Sequence, residues 1–307
     1  RLFNLVTRAD DPHSVATSMV SMDALWDFFF RSGFIYPDKY MCISGYKDEF
    51  KRSYETLYHR GRDVFSSLTY QENNTIYGHV SIVRAYPFTW MVHHLAAVPM
   101  KRKRTGLFVL QQILNFLDGF HRMPSVKMRY LIFYYRPENK FPNFFFGGVH
   151  GIIGNADRCS IDHFAYLTLR IDGKTAGLPG GWELRPCSAL DIAALHDAYR
   201  MHSNGIMTEV FCLEQEGDDL WKAYERLGLR RECRSYVLIH GGVRKAFFIV
   251  DTSDRGMNLS DLLNGIKIIV AGTDPPSLPW EILRRCVETL GVRYGTPEVV
   301  VQVFPVS

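Results

Sequence analysis

The chain has 307 residues, 47% of them hydrophobic and 22% charged, with a net charge of +4. That balance is the composition of a folded soluble protein with apolar residues enough for one large core or two ordinary ones. No apolar stretch is long enough to span a bilayer, six scattered cysteines show no zinc spacing, and the cation excess is too local for a broad nucleic-acid face.

Two segments near the start have helical spacing of apolar residues and end in Gly: "SMDALWDFFFRSG" (21–33) and "KDEFKRSYETLYHRG" (47–61). Strand patterns follow over "DVFSSLTYQ" (63–71), "TIYGHVSIVRAY" (75–86) and "FTWMVHHLAAV" (88–98), with "NN" as the first turn. Lys101, Arg102, Lys103 and Arg104 then precede a helix over 105–117 that sets Leu107, Leu110, Leu114 and Leu117 on one face. Four cations at a helix N-terminus oppose the macrodipole, so they are either solvated surface or held there for an anion. After the helix come the strand "KMRYLIFYY" (127–135), an Asn/Pro/Phe-rich segment, and the strand "DHFAYLTLRI" (162–171).

"DGKTAGLPGG" (172–181) is the clearest break. It predicts an N-terminal domain over 1–171, a linker, and a C-terminal domain over 182–307. The second half repeats the order of the first. "SALDIAALHDAYRMH" and "DDLWKAYERLG" read as helices, "RSYVLIHG", "RKAFFIVDTS" and "GIKIIVAG" as strands, "PWEILRRCVETLG" as a helix and "EVVVQVFPV" as a strand. A duplicated α/β (α+β) unit accounts for the length without a second fold. Free thiols and the lack of a signal peptide predict a cytoplasmic protein. The start at Arg1, without a methionine, predicts an upstream domain of the same chain.

Three antiparallel strands, a basic loop and helix, and a further strand resemble the GNAT acyltransferase fold. The resemblance is carried by "WMVHHLAAVPMKRKRTGLFVLQQILNFL" (90–117). It implies two tandem GNAT-like domains, each a mixed, mostly antiparallel twisted sheet flanked by helices. In that family the fourth strand pairs with the pantetheine arm of acyl-CoA and leads into a pyrophosphate loop, [QR]-x-x-G-x-[GA]. Here Lys101 takes the first position, Arg104 the first Gly position and Gly106 the last, while Leu110 and Leu114 fall where the family has buried helix leucines. The resemblance thus assigns strand backbone at Leu95, Ala96, Ala97 and Val98 to the pantetheine arm. It assigns Lys101, Arg102, Lys103, Arg104, Thr105 and Gly106 to the phosphates of acyl-CoA or of an acyl carrier protein. The family's general-acid Tyr is replaced by Phe144, Phe145 and Phe146, leaving Tyr134 and Tyr135 as substitutes.

Amide formation needs a base for the amine. His93 and His94 end the cofactor strand, and simple alternation sends one to each face, so one of them looks into the cleft. His79 and Tyr86 are weaker candidates, and Glu138 lies in a polar corner suited to an amine. Phe141, Phe144, Phe145 and Tyr135 are either core or the walls of an acyl-chain pocket. No metal cluster and no Ser/His/Asp pattern emerges, so direct transfer to an amine acceptor is the expected reaction. A proline-stiffened acidic turn replaces the basic loop in the second half, which reads as a non-binding copy. The alternative is a non-catalytic, ligand-binding regulatory module.

A weaker resemblance lies in the second half. "RRECR" and "DTSDRG" are similar to the paired motifs of PilZ domains, which bind cyclic di-GMP. It assigns a nucleotide to Arg230, Arg234, Asp251, Ser253 and Gly256.

Overall fold

The structure, a computed structural model, describes residues 14–15, 20–98, 111, 114–115, 117–172, 177–214, 219–272 and 278–306. The elements of its first part are β1 (Ser14–Val15), α1 (Met22–Arg31), α2 (Pro37–Ile43), α3 (Lys47–Arg60), β2 (Phe65–Glu72), β3 (Thr75–Tyr86), β4 (Thr89–Ala97) and β5 (Tyr130–Ile132). There follow α4 (Lys140–Ile153), β6 (Ala165–Arg170), β7 (Trp182–Pro186), α5 (Ala189–Arg200), α6 (Leu220–Arg226), β8 (Arg231–His240), β9 (Val243–Ser253), β10 (Gly265–Val270), α7 (Trp280–Gly291) and β11 (Glu298–Phe304). They form two compact units. One comprises the described residues through Tyr134 with Asp219–Leu229 and Arg255–Leu259; the other comprises Tyr135–Asp218, Arg230–Asp254 and Ser260–Ser307.

In the first unit, Ser21 caps α1 by accepting from the Ala24 amide at 3.1 Å. α2 escapes the apolar-spacing signal because it is short; its local mark is Pro37 at the first helical position. α3 buries Phe50, Tyr54, Leu57 and Tyr58, one helical stripe. Asn73 and Asn74, at φ 49° and 61°, make the left-handed turn that joins β2 to β3. The sheet runs β1-β2-β3-β4-β5, antiparallel except for the parallel β4–β5 pair. α6 belongs to this unit: Tyr224 is fully buried, and its hydroxyl donates to the Arg84 carbonyl at 2.8 Å.

Residues 117–120 are helical, with Leu117 buried and Phe120 edge-on to Trp90. Leu114, expected in the core, is 45% exposed. The helix turns the stripe of Leu117 and Phe120 inward, and Leu114 falls off it. Leu107 and Leu110 lie outside the described residues.

The second unit is a six-stranded sheet in the order β6-β11-β10-β9-β8-β7, with β10–β11 its parallel pair. On one face, Ile282, Leu283, Cys286, Val287 and Leu290 of α7 pack on Phe248, Val250, Ile266, Ile268 and Val301. Each large side chain taken fully out of water there contributes about 1.5–3 kcal/mol. The strand pattern anti, anti, parallel over β2–β5 recurs over β8–β11, so the duplication read from element order is present in the sheets. Fold class follows: two mixed, mostly antiparallel sheets flanked by helices.

The expected boundary near 172–181 does not mark the division. β6 pairs with β11 from Ala165↔Val303 to Arg170↔Glu298, in the second sheet. Composition marks a break in the apolar periodicity, but which sheet edge a strand joins is decided by which edge stands open.

Candidate active site

β4 is paired with β3 along its length, but with β5 only at Thr89, Trp90 and Met91, opposite Tyr130, Leu131 and Ile132. Past Met91 the two parallel strands part. Among the described residues no strand covers that edge of Val92–Val98, so its backbone groups face an opening rather than a ladder. This is the stretch holding Leu95, Ala96, Ala97 and Val98. The Val98 amide is held on the β3 side by the Tyr77 carbonyl at 2.8 Å.

A bulge sits at the parting. Ser81 opposes His94 and Ile82 opposes Val92, so His93 is the extra residue. Alternation predicted one histidine on each face, and the bulge overturns it. Both rings lie on the same side, with centroids 4.0 Å apart, and each meets the Tyr54 ring of α3 nearly edge-on.

His93, His94 and His79 are all buried. His94 Nε2 meets the Tyr54 hydroxyl at 3.0 Å, and its Nδ1 meets Ser81 Oγ at 3.1 Å. The Tyr58 hydroxyl lies 3.4 Å from His94 Nδ1 and 2.9 Å from His79 Nε2, while Thr69 Oγ1 takes His79 Nδ1 at 2.9 Å. Burial drives all three imidazoles toward the neutral form: His79 to about 3, His93 to about 4, and His94 well below the ordinary 6.5. For His93 the bond to Met257 opposes that drop and the charge of Lys39 adds to it.

His93 differs from the other two. Its Nε2 bonds the Met257 carbonyl, which can only accept, so Nε2 carries the ring proton. Nδ1 is then a bare lone pair, buried and without a hydrogen-bond partner. His93 Nδ1 is thus an acceptor that the fold leaves unused inside the core. His94, with both nitrogens engaged and 1% exposure, is the framework beside it. Tyr54, Tyr58 and Ser81 are the partners that sequence reasoning missed. Tyr54 and Tyr58, four apart on the buried face of α3, carried the only available signal.

Lys101, Arg102, Lys103, Arg104, Thr105 and Gly106 lie outside the described residues. Tyr134 is half-buried in the loop past β5, and Glu138 is exposed. Tyr135 packs on Phe146 with the rings tilted and their centroids 5.8 Å apart, and partial burial raises its hydroxyl above the ordinary value. α4 buries none of its residues: Phe144 is 81% exposed, and Phe141 and Phe145 stack on one another. The core reading of these phenylalanines therefore fails, since α4 lies on the surface of its unit. No group of metal-ligating side chains occurs among the described residues, and no helix there is long and apolar enough to cross a membrane.

The proposed nucleotide residues do not converge. Asp251 is fully buried, bonded to Arg231 at 2.6 Å and to Lys267 at 2.5 Å. Arg234 opposes Val250 and Cys233 opposes Asp251, so the pleat sends Arg234 and Asp251 to opposite faces. Arg230 and Arg234 instead pair with Glu232, and Ser253 Oγ turns to the Asp254 carbonyl. At Gly256 an added Cβ would lie 2.4 Å from the Glu49 carbonyl oxygen, so the glycine serves close packing in the first unit.

No protein-family model matches the chain, and no curated protein matches it. Solved structures do, and many of them are GNAT acetyltransferases. One is the tandem GNAT protein from the clavulanic acid biosynthesis pathway, 14% identical over 78% of this chain and 73% of its own, with a TM-score of 0.34. The chain is similar to GNAT acetyltransferases, tandem ones included. The GCN5-related N-acetyltransferase from Kribbella flavida is 13% identical over 94% of this chain and 64% of its own, at 0.35. The PaiA N-acetyltransferase from Thermoplasma acidophilum, in complex with coenzyme A, is 12% identical over 44% and 86%, at 0.35. At these scores no functional argument passes from them to this chain, which must be read from its own residues.

Proposed function

We propose that the chain is an N-acyltransferase of tandem GNAT-like build, moving an acyl group from acyl-CoA, or an acyl carrier protein's phosphopantetheine, to an amine. The observation that carries this is the parting of β4 from β5 at Met91, with His93 bulged beside it. The free edge of Leu95–Val98 pairs with the amides of the pantetheine arm, and Lys101 to Gly106 hold the phosphates. The amine nitrogen attacks the thioester carbonyl; the C–N bond forms as the C–S bond breaks. The amine proton passes to His93 Nδ1, and the thiolate takes a proton from Tyr134.

A second reading is a regulatory module that binds the same donor without turnover. It is favoured by the sealed position of His93 Nδ1 and by phenylalanines on α4 where the family has its acid. Calorimetric titration with CoA and palmitoyl-CoA, on the wild type and the double variant Lys101→Glu/Arg104→Glu, tests both readings. Binding that the double variant loses is expected, with thiol release on adding amines marking the enzyme and binding alone marking the module. If neither compound binds, both readings fall.

A further inference from the structure

α4 leaves an apolar face bare in the second unit. None of its residues is buried, and Phe144 and Ile152 are 81% and 87% exposed. At the helical repeat, Phe141, Phe144, Gly148, Gly151 and Ile152 fall on one face, and all five are exposed. Val149 and Ile153 widen that face, whereas Phe146 turns away from it onto Tyr135. Lys140, at the first position, is the helix's single Lys, Arg, Asp or Glu.

The glycines add a separate observation. Glycine weakens a helix interior relative to alanine, yet a Cβ added at Gly148 or Gly151 would meet nothing within 4 Å. Packing within the chain therefore calls for glycine at neither position. Bare backbone on an apolar face lets a second helix approach closely.

The exposed side chains of this face leave on the order of 500 Å² of apolar surface uncovered in each copy. A two-fold contact would cover about 1,000 Å², the least that a specific interface needs. Charges at the helix ends choose the direction. Glu138 and Lys140 stand at the N-terminal end, Asp157 and Arg158 beyond the C-terminal end, and all four are exposed. Antiparallel pairing about Gly148 sets Phe144 of one copy against Ile152 of the other, Lys140 beside Asp157 and Glu138 beside Arg158. It also runs the two macrodipoles in opposite directions, the favourable arrangement. Parallel pairing would bring like charges together at both ends. The same mixture of signs gives an anionic bilayer little to attract.

We infer that α4 is the face through which two copies of this chain associate, antiparallel across Gly148. Nothing in this pairing depends on acyl transfer.

Sedimentation equilibrium of the full chain over a concentration series tests it, and a reversible monomer–dimer equilibrium is expected. Phe144→Asp and Ile152→Asp should each weaken the dimer about tenfold or more, with the monomer's melting temperature unchanged because both side chains are exposed. Gly148→Leu should block pairing and still fold, since its side chain has open space in its own chain. Lys140→Glu should weaken the dimer and the added Asp157→Lys should restore it, a rescue that one helix cannot supply by itself across its length of about 20 Å. A wild type that stays monomeric at every concentration would overturn the inference, whether or not it binds phosphatidylserine vesicles through Phe144. So would a dimer indifferent to Phe144→Asp and Gly148→Leu, or one that Asp157→Lys fails to restore.

Discussion

The two sheets share a strand pattern and differ at one place. In the first, β5 leaves β4 after Met91 and His93 bulges out of the ladder; in the second, β10 keeps β11 from Gly265 to Ile269, and its register with β9 is unbroken. A closed parallel pair satisfies its own backbone, whereas an opened one presents donors and acceptors to a visitor. The same topology therefore yields a receptive edge in one unit and a sealed one in the other. The buried polar groups follow suit. The first unit hides three neutral histidines beside the opening; the second hides the ion-paired Asp251, Arg231 and Lys267, and no histidine among its described buried residues.

Acid should separate the two units most strongly. Histidines held neutral below their unfolded value of 6.5 contribute full stability above that pH. That contribution is lost as pH falls from 6.5 toward about 4 for His93 and about 3 for His79. Amide exchange at pH 7.5 and pH 5 should show β2–β4 losing protection while β8–β11 hold; equal loss in both would erase the contrast. His93→Gln, which keeps a donor for Met257 but removes the bare imidazole nitrogen, should lower kcat for acyl transfer about a hundredfold with KM for the donor unchanged. An unchanged kcat would remove His93 from the chemistry.

Smaller effects sharpen the packing side of the contrast. An added Cβ at Gly265 would lie 2.6 Å from the Val300 carbonyl oxygen, so Gly265→Ala should pry β10 from β11 at a cost of about 2 kcal/mol, read as a shift in denaturant midpoint. Tyr58→Phe should cost about 1–2 kcal/mol, because His79 Nε2 loses its partner inside the core. A neutral Tyr58→Phe would mean that the histidine network is held by packing alone.

Much of this arrangement is legible in the chain. Apolar spacing located α1, α3, α5 and α7, the paired asparagines located a hairpin, and the repeated element order announced two like sheets. The histidines at the end of β4 were also visible as chemistry. Their facing was not, because a bulge places both rings on one side, and nothing in "MVHHLAA" marks it. Tyr54 and Tyr58 looked like ordinary members of an apolar stripe, since their hydroxyl partners lie on strands more than ten residues away.

The sequence by itself determined what depends on neighbours along the chain: helical and strand periodicity, caps, turns and the duplication. Tertiary structure decided which edges met. It sent β6 to β11, drew α6 into the first unit, opened β4 beyond Met91 and closed β10 against β11. The physical reason is that a strand's hydrogen-bonding edge is the same whatever its side chains. Its partner is fixed only by the free edge and the apolar face that folding brings within reach.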